Sequence, residues 1–127
     1  KETLRMRYPS VLFLPETPYR ELPNVLSVAD VLVIPNSNES LDSSTYTSPL
    51  KAFAYLASKK AIVASDVPAL REVFLGHEGV SFFAPGNARA LYACAQSTPA
   101  GQHYARKNIY SWDDRAKTIL SELTKAV

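Results

Sequence analysis

Apolar residues collect in four short continuous runs: SVLFL at 10–14, DVLVIP at 30–35, AIVAS at 61–65 and GVSFFAP at 79–85. Short runs rich in β-branched residues read as strands. A run that is continuous rather than alternating predicts a strand covered on both faces, and DVLVIP is the clearest example. Between the runs lie YRELPNVLSVA, SPLKAFAYLAS and VPALREVFL, whose apolar positions recur at helical spacing. Further helical patterns occupy 88–96 and 101–109, and the chain opens on KETLRMR, which also reads as helix. A last helix starts at SWDDRAKTILSEL, with Ser111 placed to cap it and Asp114 three residues on to close a capping box. Trp112, Ile119, Leu120 and Leu123 give that helix an apolar side that is expected to lie back on the domain.

Strand, helix, strand in alternation predicts an α/β fold. The expected form is a Rossmann-like parallel sheet of about four strands with helices on both faces. The 127 residues suffice for one such domain, not two. With 14 basic and 12 acidic residues, the net charge of +2 provides no basic footprint for nucleic acid. No apolar run approaches a membrane span, and no signal-peptide pattern opens the chain. Cys94 is the single cysteine, so no internal disulfide can form. LYACAQ around it reads as a helix face with Cys94 as a small buried hydrophobe.

Ligands of open parallel sheets bind beyond the carboxyl ends of the strands. The loop after DVLVIP, from Asn36 to Thr47, is polar and serine-rich. It is long for a βα connection, whose usual length is about 2 to 6 residues. At its end Ser48 suits an N-cap and Pro49 the first helical position. The amides of Leu50 and Lys51, with the Ser48 hydroxyl, then form an anion site at the positive end of the helix dipole. Lys51 is misplaced there by about 0.3 to 1 kcal/mol unless a ligand such as a phosphate compensates it. The plainer alternative is a lysine that extends into solvent from an otherwise buried helix.

The segment YTSPLKAFAYLASKKAIVASDVPALREVF resembles the donor side of family 4 glycosyltransferases of the GT-B fold, in the branch written around SPLK-x-FEYMA. FLPETPYRELPNVLSVADVLVIPNS before it, and GHEGVSFFAPGNARALYACA and YSWDDRAKTILSEL after it, extend the likeness over nearly the whole chain. The resemblance implies an incomplete GT-B C-terminal domain. Residues 1–127 would form the nucleotide-sugar-binding part, with the first strand-helix unit and the acceptor-binding domain expected upstream of Lys1. It implies transfer of a sugar from a UDP- or GDP-linked donor to an acceptor glycan or lipid, without a metal or other cofactor. The implied location is cytoplasmic, with a peripheral membrane position for the full-length parent as an alternative. The diphosphate would sit at Thr47, Ser48, Leu50 and Lys51, and Asn36, Tyr46 and Ala54 would lie near the donor sugar and ribose.

This chain departs from the family pattern at three places. Ala54 and Tyr46 stand where many members carry glutamate, and Lys59 and Ala61 stand where they carry glycine and proline. If Lys59 adopts the left-handed conformation that glycine serves, the cost is about 1 to 2 kcal/mol. Ala54 keeps open a second reading, a degenerate donor-binding module without catalysis. A third reading, a receiver-type signalling domain, needs acidic residues at strand ends, and FLPET and VIPNS supply few. Glu39 is a weak candidate for a catalytic carboxylate, with Asp42 beside it in the same loop. Glu72 is expected to order a loop or cap a helix, and His77 and His103 lack metal-ligand spacing.

Overall fold

The computed structural model describes residues 2–37, 50–101, 104 and 111–125. Three strands, β1 (Val31–Ile34), β2 (Ala61–Ser65) and β3 (Val80–Phe83), form one parallel sheet in the order β1-β2-β3. Val31 pairs with Ala61 and Ile34 with Ala64, while Ile62 pairs with Val80 and Ser65 with Phe83. Six helices accompany the strands among the described residues: α1 (Glu2–Arg7), α2 (Leu22–Ser27), α3 (Leu50–Ser58), α4 (Pro68–Phe74), α5 (Ala88–Ser97) and α6 (Trp112–Lys125). A single 3-10 turn, Tyr19–Glu21, leads into α2.

Side chains alternate across a strand, so each strand addresses two layers. On one face Ile34, Ile62 and Ala64 pack with Ala52 and Leu56 of α3 and with Leu70 and Phe74 of α4. The opposite face of β2 and β3 carries α5. Because β2 is central and has helices on both sides, all five of its residues are buried. β1 alternates between half-buried and buried residues. The sequence therefore assigns two-sided burial to the wrong strand: it is AIVAS, not DVLVIP, that is enclosed. β1 has no described strand beyond it, and an edge strand receives less cover.

Local chemistry explains where the helices begin and end. Ala52 and Leu56 lie one turn apart and bury the same stripe of α3. The helix stops at Lys59, whose φ of 59° is left-handed, and whose amide donates to the Leu56 carbonyl at 3.1 Å. The strained lysine anticipated from the sequence is present. α4 starts with Pro68 at its first position after the extended Val67. The capping box on α6 also forms: the Asp114 amide donates to Ser111 Oγ at 3.1 Å, and the Ser111 amide donates to Asp114 Oδ2 at 3.2 Å. These bonds from Ser111, with help from Lys117, hold the Asp114 carboxyl below the usual carboxylate range.

Two further expectations fail. SVLFL at 10–14 is not a strand, and Val11, Leu12 and Leu14 are largely exposed. A strand exists only beside another that offers it a ladder of N–H and C=O groups, and none of the three strands lies alongside. Among the described residues the sheet accordingly has three strands rather than about four. Nor does the apolar side of α6 close on the described core, since Ile119, Leu120 and Leu123 remain exposed. Of the helix expected at 101–109, only Gly101 and Tyr104 lie within the described residues, and neither is helical. Tyr104 instead donates its amide to the Lys59 carbonyl at 2.9 Å, and its ring covers Gly79, where a side chain would collide with it.

Candidate functional site at the carboxyl edge of the sheet

All three strands run in parallel, so their carboxyl ends lie on one edge of the sheet. α3 and α5 each follow a strand, and their first turns lie at this edge. At the end of β1, Pro35, Asn36 and Ser37 contribute to a cavity of about 220 Å³ that also touches Ser65 at the end of β2 and Phe83 at the end of β3. A larger open depression, about 570 Å³, is lined by Glu16, Thr17, Pro18, Tyr19 and Leu22, before and at the start of α2. The smaller cavity is the one that joins the ends of all three strands.

At the start of α3, Leu50 is 71% exposed and Lys51 is exposed, while Ala52 is fully buried. The first turn carries no acidic residue. Among the described residues Lys51 has no ion-pair partner. Its charge thus stands at the positive end of the helix dipole with no local compensation. Ala54 lies one turn further on and is half-buried, as are Phe53 and Tyr55. Burial raises the Tyr55 phenol above its ordinary value. Thr47, Ser48, Tyr46, Glu39 and Asp42 fall outside the described residues. The structure therefore brings Asn36, Leu50, Lys51 and Ala54 to β1 and the helix that follows it.

The loop after β2 is held by a contact that sequence inspection missed. Arg71 Nε donates to Asp66 Oδ1 at 2.6 Å, and its terminal nitrogen donates to Oδ2 at 2.8 Å. The same guanidinium stacks 4.0 Å from the centre of the Phe82 ring. This two-point bond to Arg71 depresses the Asp66 carboxyl and raises the Arg71 guanidinium. The loop-ordering role expected of Glu72 thus belongs to Asp66 and Arg71, and Glu72 is exposed. The signal was the D-x4-R spacing across a strand-to-helix turn. Cys94 is half-buried with its sulfur 3.9 Å from the Phe82 carbonyl, so it is a packing residue, though less enclosed than expected. His77 is half-buried, and His103 lies outside the described residues.

Two features of this edge escaped the sequence reading altogether. Ser65 is wholly buried, and its hydroxyl has no hydrogen-bond partner among the described residues. The turn Gly86-Asn87 opens α5: Gly86 has a φ of 72°, and Asn87 Oδ1 accepts from the Ala90 amide at 3.0 Å. A glycine followed by a capping residue after the last strand was the available signal. No cluster of three or more His, Cys, Asp or Glu suited to a metal occurs among the described residues. None of the described helices is long and apolar enough to cross a membrane.

Each of the three parallel strands is followed by a helix, so α3, α4 and α5 all start beyond this carboxyl edge, where ligands of open α/β sheets bind. The family model for glycosyl transferases group 1 matches residues 1–98, more than half of the chain, and the chain belongs to that family. Glycosyl transfer is the class of activity that this membership assigns. No match was found among curated proteins or among solved structures.

Proposed function

We propose that this chain is the donor-binding part of a glycosyltransferase that uses a UDP- or GDP-linked sugar, with the diphosphate seated at the start of α3. One observation carries the reading. Lys51 stands exposed at the positive end of α3, beyond the carboxyl edge of the sheet, with no partner among the described residues. A diphosphate supplies the missing negative charge and accepts from the outward-pointing amides of Leu50 and Lys51. Thr47 and Ser48 would complete the cradle, and Asn36, Tyr46 and Ala54 would border the sugar and ribose. No metal or other cofactor enters this reading, and Lys51 with the helix dipole would offset part of the diphosphate charge. Glu39 remains a weak candidate for a catalytic carboxylate.

The acceptor, a glycan or lipid, would be held by a separate domain of a two-domain parent located in the cytoplasm or at the membrane surface. The 127-residue chain by itself is therefore expected not to turn over, since positioning of the acceptor against the donor supplies much of the rate. The test is titration of the chain with UDP and GDP. The amides of Leu50 and Lys51 should shift more than those of α6, and Lys51→Ala should weaken binding by about 1 to 2 kcal/mol. Equal binding by the variant would place the diphosphate elsewhere.

Ala54 favours a second reading, a donor-binding module that has lost catalysis. A glutamate at this half-buried position would accept bonds from the ribose hydroxyls, and alanine cannot. Ala54→Glu discriminates the two. A gain in binding for the ribonucleotide that shrinks for a 2′-deoxy analogue would mean that the donor geometry is intact.

A further inference from the structure

The cavity at the carboxyl ends of the strands has donors of its own, separate from the start of α3. Its floor includes Ser65, a residue with no exposed surface whose hydroxyl finds no acceptor or donor among the described residues. A buried hydroxyl left unpaired destabilises a fold, and nearly all such groups in folded proteins find a partner. Here the surrounding layer is otherwise well packed, with Val63 and Ala64 fully buried beside it. An unpaired hydroxyl at the floor of a cavity has a direct explanation: its partner arrives from outside.

The wall of the cavity is the first turn of α5, through Gly86, Asn87, Ala88 and Leu91. α5 has ten residues, long enough for its aligned peptides to act as a dipole. Asn87 satisfies the Ala90 amide, and the Leu91 amide donates to the Asn87 carbonyl at 3.0 Å. The amides of Ala88 and Arg89 precede the first possible acceptor within the helix. At Gly86 nothing among the described residues lies within 4 Å of where a Cβ would be, so no neighbour crowds the turn that precedes these amides. Phe83 and Leu91 supply an apolar border that keeps the polar groups from dispersing into water.

We infer that this cavity binds a small oxyanion, a phosphate or carboxylate group, held by the Ser65 hydroxyl and the first amides of α5. Ser65 and Ala88 both line the cavity, the dipole favours negative charge, and among the described residues no carboxylate lines it. At about 220 Å³ the space is large enough to admit one such group. The site would serve a substrate that carries an acidic group in addition to any diphosphate at α3.

The experiment follows amide signals and thermal stability of the whole 127-residue chain during titration with inorganic phosphate, glucuronate and glucose. Phosphate tests the anion alone, glucuronate a sugar carboxylate, and glucose the same ring without charge. Ser65, Ala88 and Arg89 should shift with phosphate and with glucuronate, and remain still with glucose. Ser65→Ala should weaken phosphate binding about fivefold. The same variant should raise the melting temperature of the free protein by about 4 °C, because it removes an unpaired buried hydroxyl. A hydroxyl with a purely structural role would instead lower it. Shifts confined to Leu50 and Lys51 would overturn the α5 site while supporting the diphosphate reading. Equal shifts with glucose, or unchanged phosphate affinity in Ser65→Ala, would overturn it as well.

Discussion

The layer formed by β2, α3 and α4 and the flanks formed by residues 4–14 and α6 use the same kinds of side chain to opposite effect. In the layer, Leu56, Ile62, Val63 and Leu70 have at most 1% of their surface exposed. In the flanks, Met6, Leu12, Ile119 and Leu123 are at least 53% exposed. Hydropathy does not separate the two regions. What separates them is the presence of a second layer. β2 has strands on both edges and helices on both faces, whereas no described strand pairs with SVLFL, and the apolar stripe of α6 faces no described layer. Periodicity states which side of an element is prepared for burial, and topology decides whether anything arrives to bury it.

The comparison is tested most severely by truncating matched leucines. Leu70→Ala should cost about 2 to 5 kcal/mol of stability, and Leu123→Ala within about 0.5 kcal/mol, in denaturant unfolding. A cost at Leu123 close to that at Leu70 would mean that α6 is covered in solution. Ala54→Glu probes the exposed end of the same layer. If Ala54 faces ribose, calorimetry should show nucleotide binding tightened about tenfold, equivalent to about 1.4 kcal/mol. An equal gain for a 2′-deoxy ligand would place ribose away from α3.

Smaller effects sharpen the boundary of the layer. Lys59→Gly should stabilise the fold by about 0.5 to 1 kcal/mol, because glycine removes the left-handed strain at φ 59° but loses more freedom on folding. Asp66 contributes the smallest effect, through pH. Its folded-state carboxyl is depressed by the bond from Arg71, so the pair's stabilisation is fully present above the unfolded value of about 3.9. That contribution is lost as pH falls through the lower folded value. Asp66→Asn should therefore flatten the dependence of melting temperature on pH below about 4, with little change near neutrality. An unchanged acid limb would mean that the exposed pair does not persist in solution.

Much of this was legible in the residues themselves. Three of the four apolar runs became strands in the expected order, because β-branched continuity is a local property of the chain. The boundary of α3 at Lys59 and the capping box of Ser111 and Asp114 were also local, depending on backbone sterics and on groups three residues apart. At the site, the exposed cation at the start of α3 could be read from SPLK, since a helix dipole is set by the helix that carries it. Other features required the tertiary structure. β2 rather than β1 is the enclosed strand because enclosure depends on neighbours, and SVLFL stayed unpaired because no described ladder lies beside it. The Asp66 to Arg71 to Phe82 stack joins a loop, a helix and a different strand. Ser65 and the start of α5 are separated by more than twenty residues, and only the parallel packing of β2 against β3 places them around one cavity. Propensities, caps and dipoles act over one turn of chain, whereas burial and the convergence of donors are properties of space, which the fold alone assigns.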